Sequence, residues 1–332
     1  MTAKAPRLAP KPFAAPPKGL WRATPPAIFP PILGLFGMGL AWRQAAVLLG
    51  APDWIGEMVL GAVSLLYVFA LVAYLAKVVR RVGTLPEDLR ILPGRSGLPA
   101  ASASGMLFAA TLVPFGAGLA EVVLALALAA HTVIAVLIIR ALRLGPPEQR
   151  RVTPAWHLSF VGFIIAPVAG VPLGWETLST LIFFTTLQVA AAVWLISIMQ
   201  FLRHDVPPPL RPLLAIHLAP VCLFGIVAVA LGFDALAQGF GYLGITLFLG
   251  LLFSASYLTA AEFSALWGAF TFPLAAFANL MFAVASVHYQ PFAYVGGIEL
   301  VGASLAIPYI AYRVMSIWAK GKLARATNAS EV

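Results

Sequence analysis

The chain has 332 residues, of which 61% are hydrophobic and only 10% are charged, and its mean hydropathy is +0.94. Because a soluble domain carries roughly 25% charged residues, this composition excludes a soluble protein and predicts a polytopic membrane protein built almost wholly from bilayer-spanning helices. A formal net charge of +9 could suit nucleic acid, but membrane topology explains the basic residues better, and we expect no nucleic-acid partner.

Residues 1–24 are basic and rich in proline, and they precede the first apolar run. Such a segment cannot bury enough apolar surface to fold, so we predict a disordered cytoplasmic tail. The first apolar run lacks a small-residue cleavage site and many further spans follow it, so no secretory signal peptide is expected. Residues 25–318 are assigned to one transmembrane domain, and residues 319–332 to a cytoplasmic C-terminal tail.

Ten apolar segments follow the tail, each long enough to cross roughly 30 Å of hydrocarbon. Short links between each odd segment and the next even one predict five helical hairpins. The predicted fold is therefore an all-α integral membrane protein with ten transmembrane helices. The segments span residues 27–47, 54–79, 97–115, 118–141, 155–173, 176–202, 210–231, 235–259, 263–287 and 292–317.

The distribution of basic residues along the chain tests the predicted number of spans. Of the 21 Lys and Arg residues, all but Arg43 lie on one side of a ten-span arrangement, in the N-terminal tail, in the links after the second, fourth and sixth segments, and at the C-terminal end. Since basic residues concentrate on the cytoplasmic side, both termini are predicted to be cytoplasmic. We expect a multi-pass protein of the bacterial inner membrane.

Prolines separate the segments into two classes. A mid-helix proline removes a backbone hydrogen bond and bends the helix, and in lipid this is tolerated only where protein or a water-filled cavity shelters the freed group. We therefore expect five bent odd helices around a central pore and five straight even helices outside. The odd segments contain Pro30, Pro31, Pro99, Pro114, Pro167, Pro220 and Pro273, whereas the even ones contain only Pro308.

The ninth segment carries the most specific motif, Trp-Gly-Ala-Phe-Thr-Phe-Pro at residues 267–273. This motif resembles the ninth-helix signature of the tellurite-resistance/dicarboxylate transporter family, which includes bacterial tellurite-resistance channels and plant slow anion channels. Shorter similarities of the same order and spacing extend the resemblance over about residues 25–318. They are Phe29-Pro30 followed by the glycine-rich run 34–39, the sequence Thr-Pro-Ala-Trp at 153–156, and Ala219-Pro220.

The resemblance implies a homotrimer in which each protomer has its own pore, lined by the five odd helices. It also implies that a phenylalanine of the ninth helix closes this pore. That residue aligns with Phe272, although a small misalignment would exchange it with Phe270. On the pattern alone, Phe272 is one of 22 phenylalanines and could simply pack. The further pore-lining or kink candidates are Phe29, Pro30, Pro167, His217, Pro220, Phe270, Thr271 and Pro273.

Ionisable residues inside the segments are few. Glu299 is the one carboxylate well within a span, and such a group is a functional candidate by default, but an outer helix would place it away from the pore and favours a structural or subunit-contact role. His131, His157 and His217 lack a second ligand at helical spacing, so we expect them to be hydrogen-bonded. A protonated His217, one turn before Pro220, would alternatively favour anions. No metal and no cofactor are predicted.

No nucleotide-binding loop or catalytic motif occurs, so the sequence predicts neither an ATP-driven pump nor an enzyme. A pore almost free of carboxylates, with partial positive charge from helix N-termini and from backbone amides freed at kinks, would suit anions. We expect an anion channel or transporter with a phenylalanine-gated pore, passing small inorganic or carboxylate anions. The alternative is a proton-coupled carrier for C4-dicarboxylate, tellurite or sulfite.

Overall fold

A computed structural model describes residues 19–287 and 290–332, so the predicted tail up to residue 18 lies outside the described residues. Every regular element in the described part is helical. The α-helices are α1 (Phe29–Leu49), α2 (Asp53–Arg80), α3 (Thr84–Asp88), α4 (Leu92–Leu112), α5 (Ala117–Leu144), α6 (Ala166–Gly170), α7 (Glu176–Phe201), α8 (Leu218–Ala230), α9 (Asp234–Phe253), α10 (Ala255–Leu258), α11 (Gly268–Val287), α12 (Pro291–Ala319) and α13 (Leu323–Ala326). Short 3₁₀ helices cover Pro26–Ile28, Pro147–Arg150, Gly162–Ile165, Pro208–His217 and Ala265–Trp267, and a π-helical turn covers His157–Val161.

Eight helices in the described part are long and apolar enough to cross a membrane. They correspond to all of the predicted segments except the third and the fifth. The third segment is α4, which is long enough but carries Arg95 and several small polar residues. The fifth is the run His157–Gly170, which is apolar but too short on its own to cross a bilayer. Length and composition in the structure thus identify eight spans rather than ten.

Burial differs sharply between the odd-numbered and the even-numbered segments. The most apolar windows of the helices Pro26–Leu49, Pro208–Ala230 and Ala265–Val287 are 50%, 72% and 78% buried, whereas those of the other five candidate spans are between 17% and 33% buried. Most of α4 is also buried. The less buried helices instead expose large apolar side chains to the outside, among them Leu65, Val122, Leu181 and Ile298.

Helices α1 and α11 approach each other closely because glycine stands at their contact. A Cβ added at Gly34 would lie only 2.4 Å from Cβ of Thr271, and one added at Gly37 would lie 2.9 Å from Cβ of Ala275. The Thr271 hydroxyl also donates a hydrogen bond of 3.0 Å to the carbonyl of Pro30. The first and ninth segments are therefore fixed against each other by both packing and hydrogen bonding.

The described ends of the chain meet at one end of the bundle. The Val332 amide donates to the Arg22 carbonyl at 3.0 Å, and the Trp21 ring packs edge-on against Phe69 with centroids 6.0 Å apart. Helix α13 lies in the predicted C-terminal tail. Composition alone did not indicate these contacts, because they depend on the surface that the helices present to the ends of the chain.

Candidate functional site

Two small cavities lie among the buried, proline-containing helices. The first, here called the Pro30 cavity, is lined by residues of α1, α4, the turn His157–Val161, the 3₁₀ helix Pro208–His217 and α11, including Pro30, Ser96, Leu158, Leu213 and Ala269. It lies at the first turns of α1, α4 and α11, which begin at its walls. Because the N-terminus of a helix carries partial positive charge, three such ends make this cavity favourable for a negative charge.

The second cavity, here called the Phe272 cavity, lies next to the first, because Leu158 and Ile216 line both of them. Its other walls include His157, Pro220 and the ring of Phe272. Each cavity has a volume of about 20 Å³, which is room for about one water molecule. The space beside Phe272 is therefore too small for an anion with its hydration shell.

Local packing holds Phe272 in this position. Its side chain is buried, with 6% of its surface exposed, and it lies against Gly37 of α1, where an added Cβ would be 3.4 Å from two ring carbons. The neighbouring Thr271 hydroxyl donates to the Gly268 carbonyl at 2.7 Å as well as to Pro30. The ring therefore faces the cavity from a backbone that α1 holds in place.

Prolines of the seventh and ninth segments alter the hydrogen bonding at the cavity walls. Pro220 and Pro273 lack the amide hydrogen that would otherwise bond the carbonyls of Ile216 and Ala269, four residues earlier. Both of these residues line a cavity. Our expectation that kinks would free backbone amides is therefore wrong in its chemistry, since a proline frees a carbonyl oxygen, and donors for an anion must come from elsewhere.

A histidine pair lies at the wall of the Phe272 cavity. The Nε2 atom of His157 lies 3.0 Å from Nδ1 of His217, and the two rings are nearly perpendicular with centroids 5.1 Å apart. His157 lines the Phe272 cavity, and only 2% of its surface is exposed. Its Nδ1 atom is buried and has no hydrogen-bond partner among the described residues. Sequence reasoning singled out His217, but His157 is the member that lies on the wall.

The other predicted site residues divide into two groups. Pro30, Pro220 and Phe272 line the cavities, and Thr271 and Pro273 flank Phe272 in the chain. In contrast, Phe29, Pro167, Phe270 and His217 lie outside the two linings given by the described residues.

These outlying residues have other neighbours. Phe29 is fully buried and packs edge-on against Tyr74, with centroids 6.1 Å apart. Phe270 is only half-buried and packs edge-on against Trp267 at 5.8 Å. Pro167 is buried near the start of α6. Phe270 and Phe272 are therefore distinguished by position, since only Phe272 reaches a cavity wall within the described part of the chain.

Sequence reasoning missed a buried amide in the ninth segment. The side-chain nitrogen of Asn279 donates to the Gly37 carbonyl at 2.8 Å, and its oxygen accepts a bond of 2.6 Å from Gln44. These contacts join α11 to α1 one to two turns beyond Phe272. An amide in an otherwise apolar run was the available signal, because a buried polar side chain needs partners.

Glu299 lies on α12 with 9% of its surface exposed. Its Oε1 atom is buried and has no hydrogen-bond partner in the described part of the chain. The residue is not among those that line the two cavities. This position leaves open the structural or subunit-contact role that the sequence favoured.

The all-helical fold and the eight membrane-length apolar helices define a multi-pass membrane protein. Residues 23–315 match the sequence model of a protein family described as voltage-dependent anion channel. Since the match covers well over half of the chain, the protein belongs to this family, and the resemblance inferred from the ninth-segment motif is confirmed. No curated protein matches the chain closely enough to be counted as a relative.

Proposed function

We propose that this protein is an anion channel in which each protomer has its own pore and Phe272 is the gate. The observation that carries the proposal is that residues of five buried elements line one cavity, and Phe272 lines the next. These elements are α1, α4, the turn His157–Val161, the 3₁₀ helix Pro208–His217 and α11. The passing species are small inorganic or carboxylate anions. No described residue on either cavity wall is a carboxylate, so nothing there repels them.

The proposed architecture is a ring of five inner helices and five outer ones, with three protomers in the assembly. Burial supports the inner and outer placement, because the candidate spans of the first, seventh and ninth segments are more deeply buried than the others. Helix α4 and the run His157–Gly170 then serve as the third and fifth inner helices. Sheltered from lipid by the outer helices, they tolerate polar residues and breaks in the helix that lipid would not.

The proposed orientation places both termini in the cytoplasm of a bacterium, with the protein in the inner membrane. The contact between Arg22 and Val332 supports a common side for the two ends. Basic residues on that side agree with the positive-inside rule and would raise the local concentration of anions within about 8 Å at physiological salt. Reporter fusions after Arg95 and Arg151 should read cytoplasmic and those at Gly116 and Gly174 periplasmic, and one inversion would contradict this orientation.

The gate would act by exclusion. An ion that meets an apolar constriction cannot keep its hydration shell there, and the space beside Phe272 holds about one water molecule. Opening requires the ring to move out of the path. The prolines that bend the helices beside it leave carbonyl groups able to bind water once the path is wide enough.

The test is the anion flux of purified protein in liposomes, measured together with thermal stability. Phe272→Ala should raise chloride flux while the fold survives, because the path widens. Phe270→Ala is the matched control, since that ring lies outside the cavity linings, and it should leave the flux low. If Phe272→Ala loses stability without gaining flux, the residue is a packing residue and the gate lies elsewhere.

A proton-coupled carrier for C4-dicarboxylate, tellurite or sulfite is the second candidate. The observation that favours it is the His157–His217 pair beside the path, because histidine is the side chain whose charge changes near neutral pH. A carrier should show saturable uptake driven by a pH gradient, whereas a channel should show passive flux at equal pH. Parallel flux assays with chloride, nitrate, succinate, sulfite and tellurite, with and without the gradient, distinguish the two.

A further inference from the structure

One residue that lines the Phe272 cavity has a ring nitrogen without a hydrogen-bond partner in the described part of the chain. This atom is Nδ1 of His157, which is buried and has no acceptor or donor among the described residues. The rest of the lining consists of apolar side chains, including Ile164, Leu223 and Phe272. A buried polar atom without a partner costs free energy, so its retention beside a path indicates a ligand that enters the cavity.

The bond to His217 determines which hydrogens the pair can offer. One hydrogen lies between Nε2 of His157 and Nδ1 of His217. If His217 donates it, a neutral His157 must carry its own hydrogen on Nδ1, because a neutral imidazole has one N–H. If the pair takes up one further proton, both outer nitrogens carry a hydrogen whichever ring donates, and the pair bears one positive charge.

We propose that His157 and His217 form an anion-binding site inside the path, where Nδ1–H of His157 donates a hydrogen bond to a small halide or oxyanion and the pair binds one proton together with that anion. This inference rests on the proposed function, since it places the site in the conducting path. His217 is the positioning residue. Its bond orients the His157 ring and shares the added proton, and its own ring lies outside the described cavity linings.

The surroundings leave the pair without another counter-charge. The elements packed around His157 carry several titratable or charged side chains. They are Arg95 of α4, Glu121, His131, Arg140 and Arg143 of α5, Glu176 of α7, Cys222 of α8, and Arg211 and His217 of the 3₁₀ helix Pro208–His217. Of these, only His217 interacts electrostatically with the His157 ring. The α7 residue facing the pair is Trp194, whose ring centroid is 5.4 Å from that of His157. Its Nε1–H donates to the His217 carbonyl at 3.3 Å.

The consequence is a pH dependence with a definite sign. No carboxylate of the described chain lines the cavity, so a proton on the pair would be neutralised by the anion itself. Affinity for the anion should therefore rise as the pH falls. The proton should in turn bind more tightly when the anion is present, because coupling between two ligands is reciprocal.

The experiment uses the full-length protein with Phe272→Ala as the background, so that the site is open to solution. Chloride and nitrate binding to detergent-purified protein is titrated calorimetrically at about pH 5.5 and about pH 7.5, on either side of the ordinary histidine range. Flux in liposomes is measured on the same samples. In the background protein, affinity should be higher at the lower pH.

Adding His157→Gln should weaken binding about tenfold or more at the lower pH, the effect of losing a hydrogen bond from a charged donor. His217→Gln should remove most of the pH dependence while leaving measurable binding. His131→Gln is the matched control, because that ring is equally buried and also has an unpartnered nitrogen in the described structure, but lies outside both cavity linings. It should change neither affinity nor its pH dependence.

The outcomes separate this inference from the channel proposal. Binding that is independent of pH in the background protein overturns the inference even if a histidine variant fails to fold, and so does an affinity that His157→Gln leaves unchanged. High flux in that case still supports the channel. If Phe272→Ala shows no flux but binds anions in a pH-dependent manner that His157→Gln abolishes, the site stands and the gate proposal fails.

Discussion

Two polar clusters in this protein differ in how completely their groups are hydrogen-bonded. At the end of the bundle where the termini meet, Lys77 and Asp88 are fully buried and form an ion pair of 2.8 Å. At the Phe272 cavity, His157 is buried and His217 is half-buried, and Nδ1 of His157 has no partner among the described residues. Groups of the protein itself satisfy the first cluster, whereas the second retains a nitrogen without a partner in the described structure.

The Lys77–Asp88 cluster is closed because many groups converge on it. Asp88 also accepts hydrogen bonds from the Tyr74 hydroxyl at 3.0 Å and from the Ser330 amide at 2.8 Å. Lys77 also donates to the Ser330 carbonyl at 3.1 Å. Because these hydrogen bonds satisfy both charged groups, the buried ion pair is tolerated, and it fixes the C-terminal residues against α2. The comparison teaches that complete partnering indicates a structural role, whereas an open polar atom on a cavity wall indicates a ligand.

The largest expected effect breaks the closed cluster. Asp88→Ala leaves the Lys77 ammonium buried without its carboxylate, which should cost about 3–5 kcal/mol of stability. Thermal or denaturant unfolding in detergent measures this. Glu87→Ala is the control, because the Glu87–Arg81 pair is largely exposed and such pairs contribute under about 1 kcal/mol. Equal stability of the two variants would contradict the structural role of the cluster.

A smaller effect is expected where α1 meets α11. Gly34→Ala places a methyl group 2.4 Å from Cβ of Thr271, and overpacking of this kind costs about 1–3 kcal/mol. Since Thr271 precedes Phe272, the same change should alter anion flux. Gly61→Ala, where an added Cβ meets nothing within 4 Å, should change neither the stability nor the anion flux. Unaltered melting and flux in Gly34→Ala would mean that α1 does not hold α11 in place.

Asn279→Ala tests the polar bridge between α1 and α11. The change removes the bond to the Gly37 carbonyl and leaves the Gln44 amide without its acceptor. The expected loss of stability is about 1–2 kcal/mol, the typical effect of removing one partner of a buried hydrogen bond. Thermal melting of this variant beside Thr246→Ala measures the effect. Thr246 is an exposed hydroxyl bonded within its own helix, so its variant should melt as the parent does.

The smallest effect belongs to a cluster around Asp205, an exposed residue in the link between the sixth and seventh segments. The Tyr257 hydroxyl donates to Asp205, and this hydrogen bond, together with Arg211, holds the pKa of Asp205 below its ordinary value. A depressed carboxyl pKa stabilises the fold above the ordinary Asp pKa of about 3.9 and loses that contribution as the pH falls through the folded value. Tyr257→Phe should therefore lower stability slightly at neutral pH.

The difference between Tyr257→Phe and the parent protein should vanish in acid, below the pKa of the folded Asp205. Melting curves of the two proteins, recorded from neutral pH downward, test this sign. A difference that grows toward acid would show that another group carries the dependence. Because Asp205 is exposed, we expect the effect to be well below that of Asp88→Ala, which extends the comparison from closed and open clusters to solvent-screened ones.

The sequence by itself determined the class of the protein, the positions of most of its spans and the family to which it belongs. Composition, apolar run length and the placement of prolines carry this information because lipid imposes the same demands on every spanning helix. The motif around Phe272 was also readable, since it lies within one short stretch. Eight of the ten predicted spans meet the criteria of length and composition in the described structure, whereas α4 and the run His157–Gly170 do not, so the count of ten stays a prediction.

Only the tertiary structure decided which polar groups meet. His157 pairs with a residue 60 positions away, Thr271 with the carbonyl of Pro30 across 241 positions, and Asp88 with Ser330 across 242. A single sequence does not encode which faces of two helices touch, because helical periodicity is the same for any partner. The physical reason is that the apolar character of a run is a local property of the sequence, whereas the pairing of polar groups depends on how all the helices pack at once.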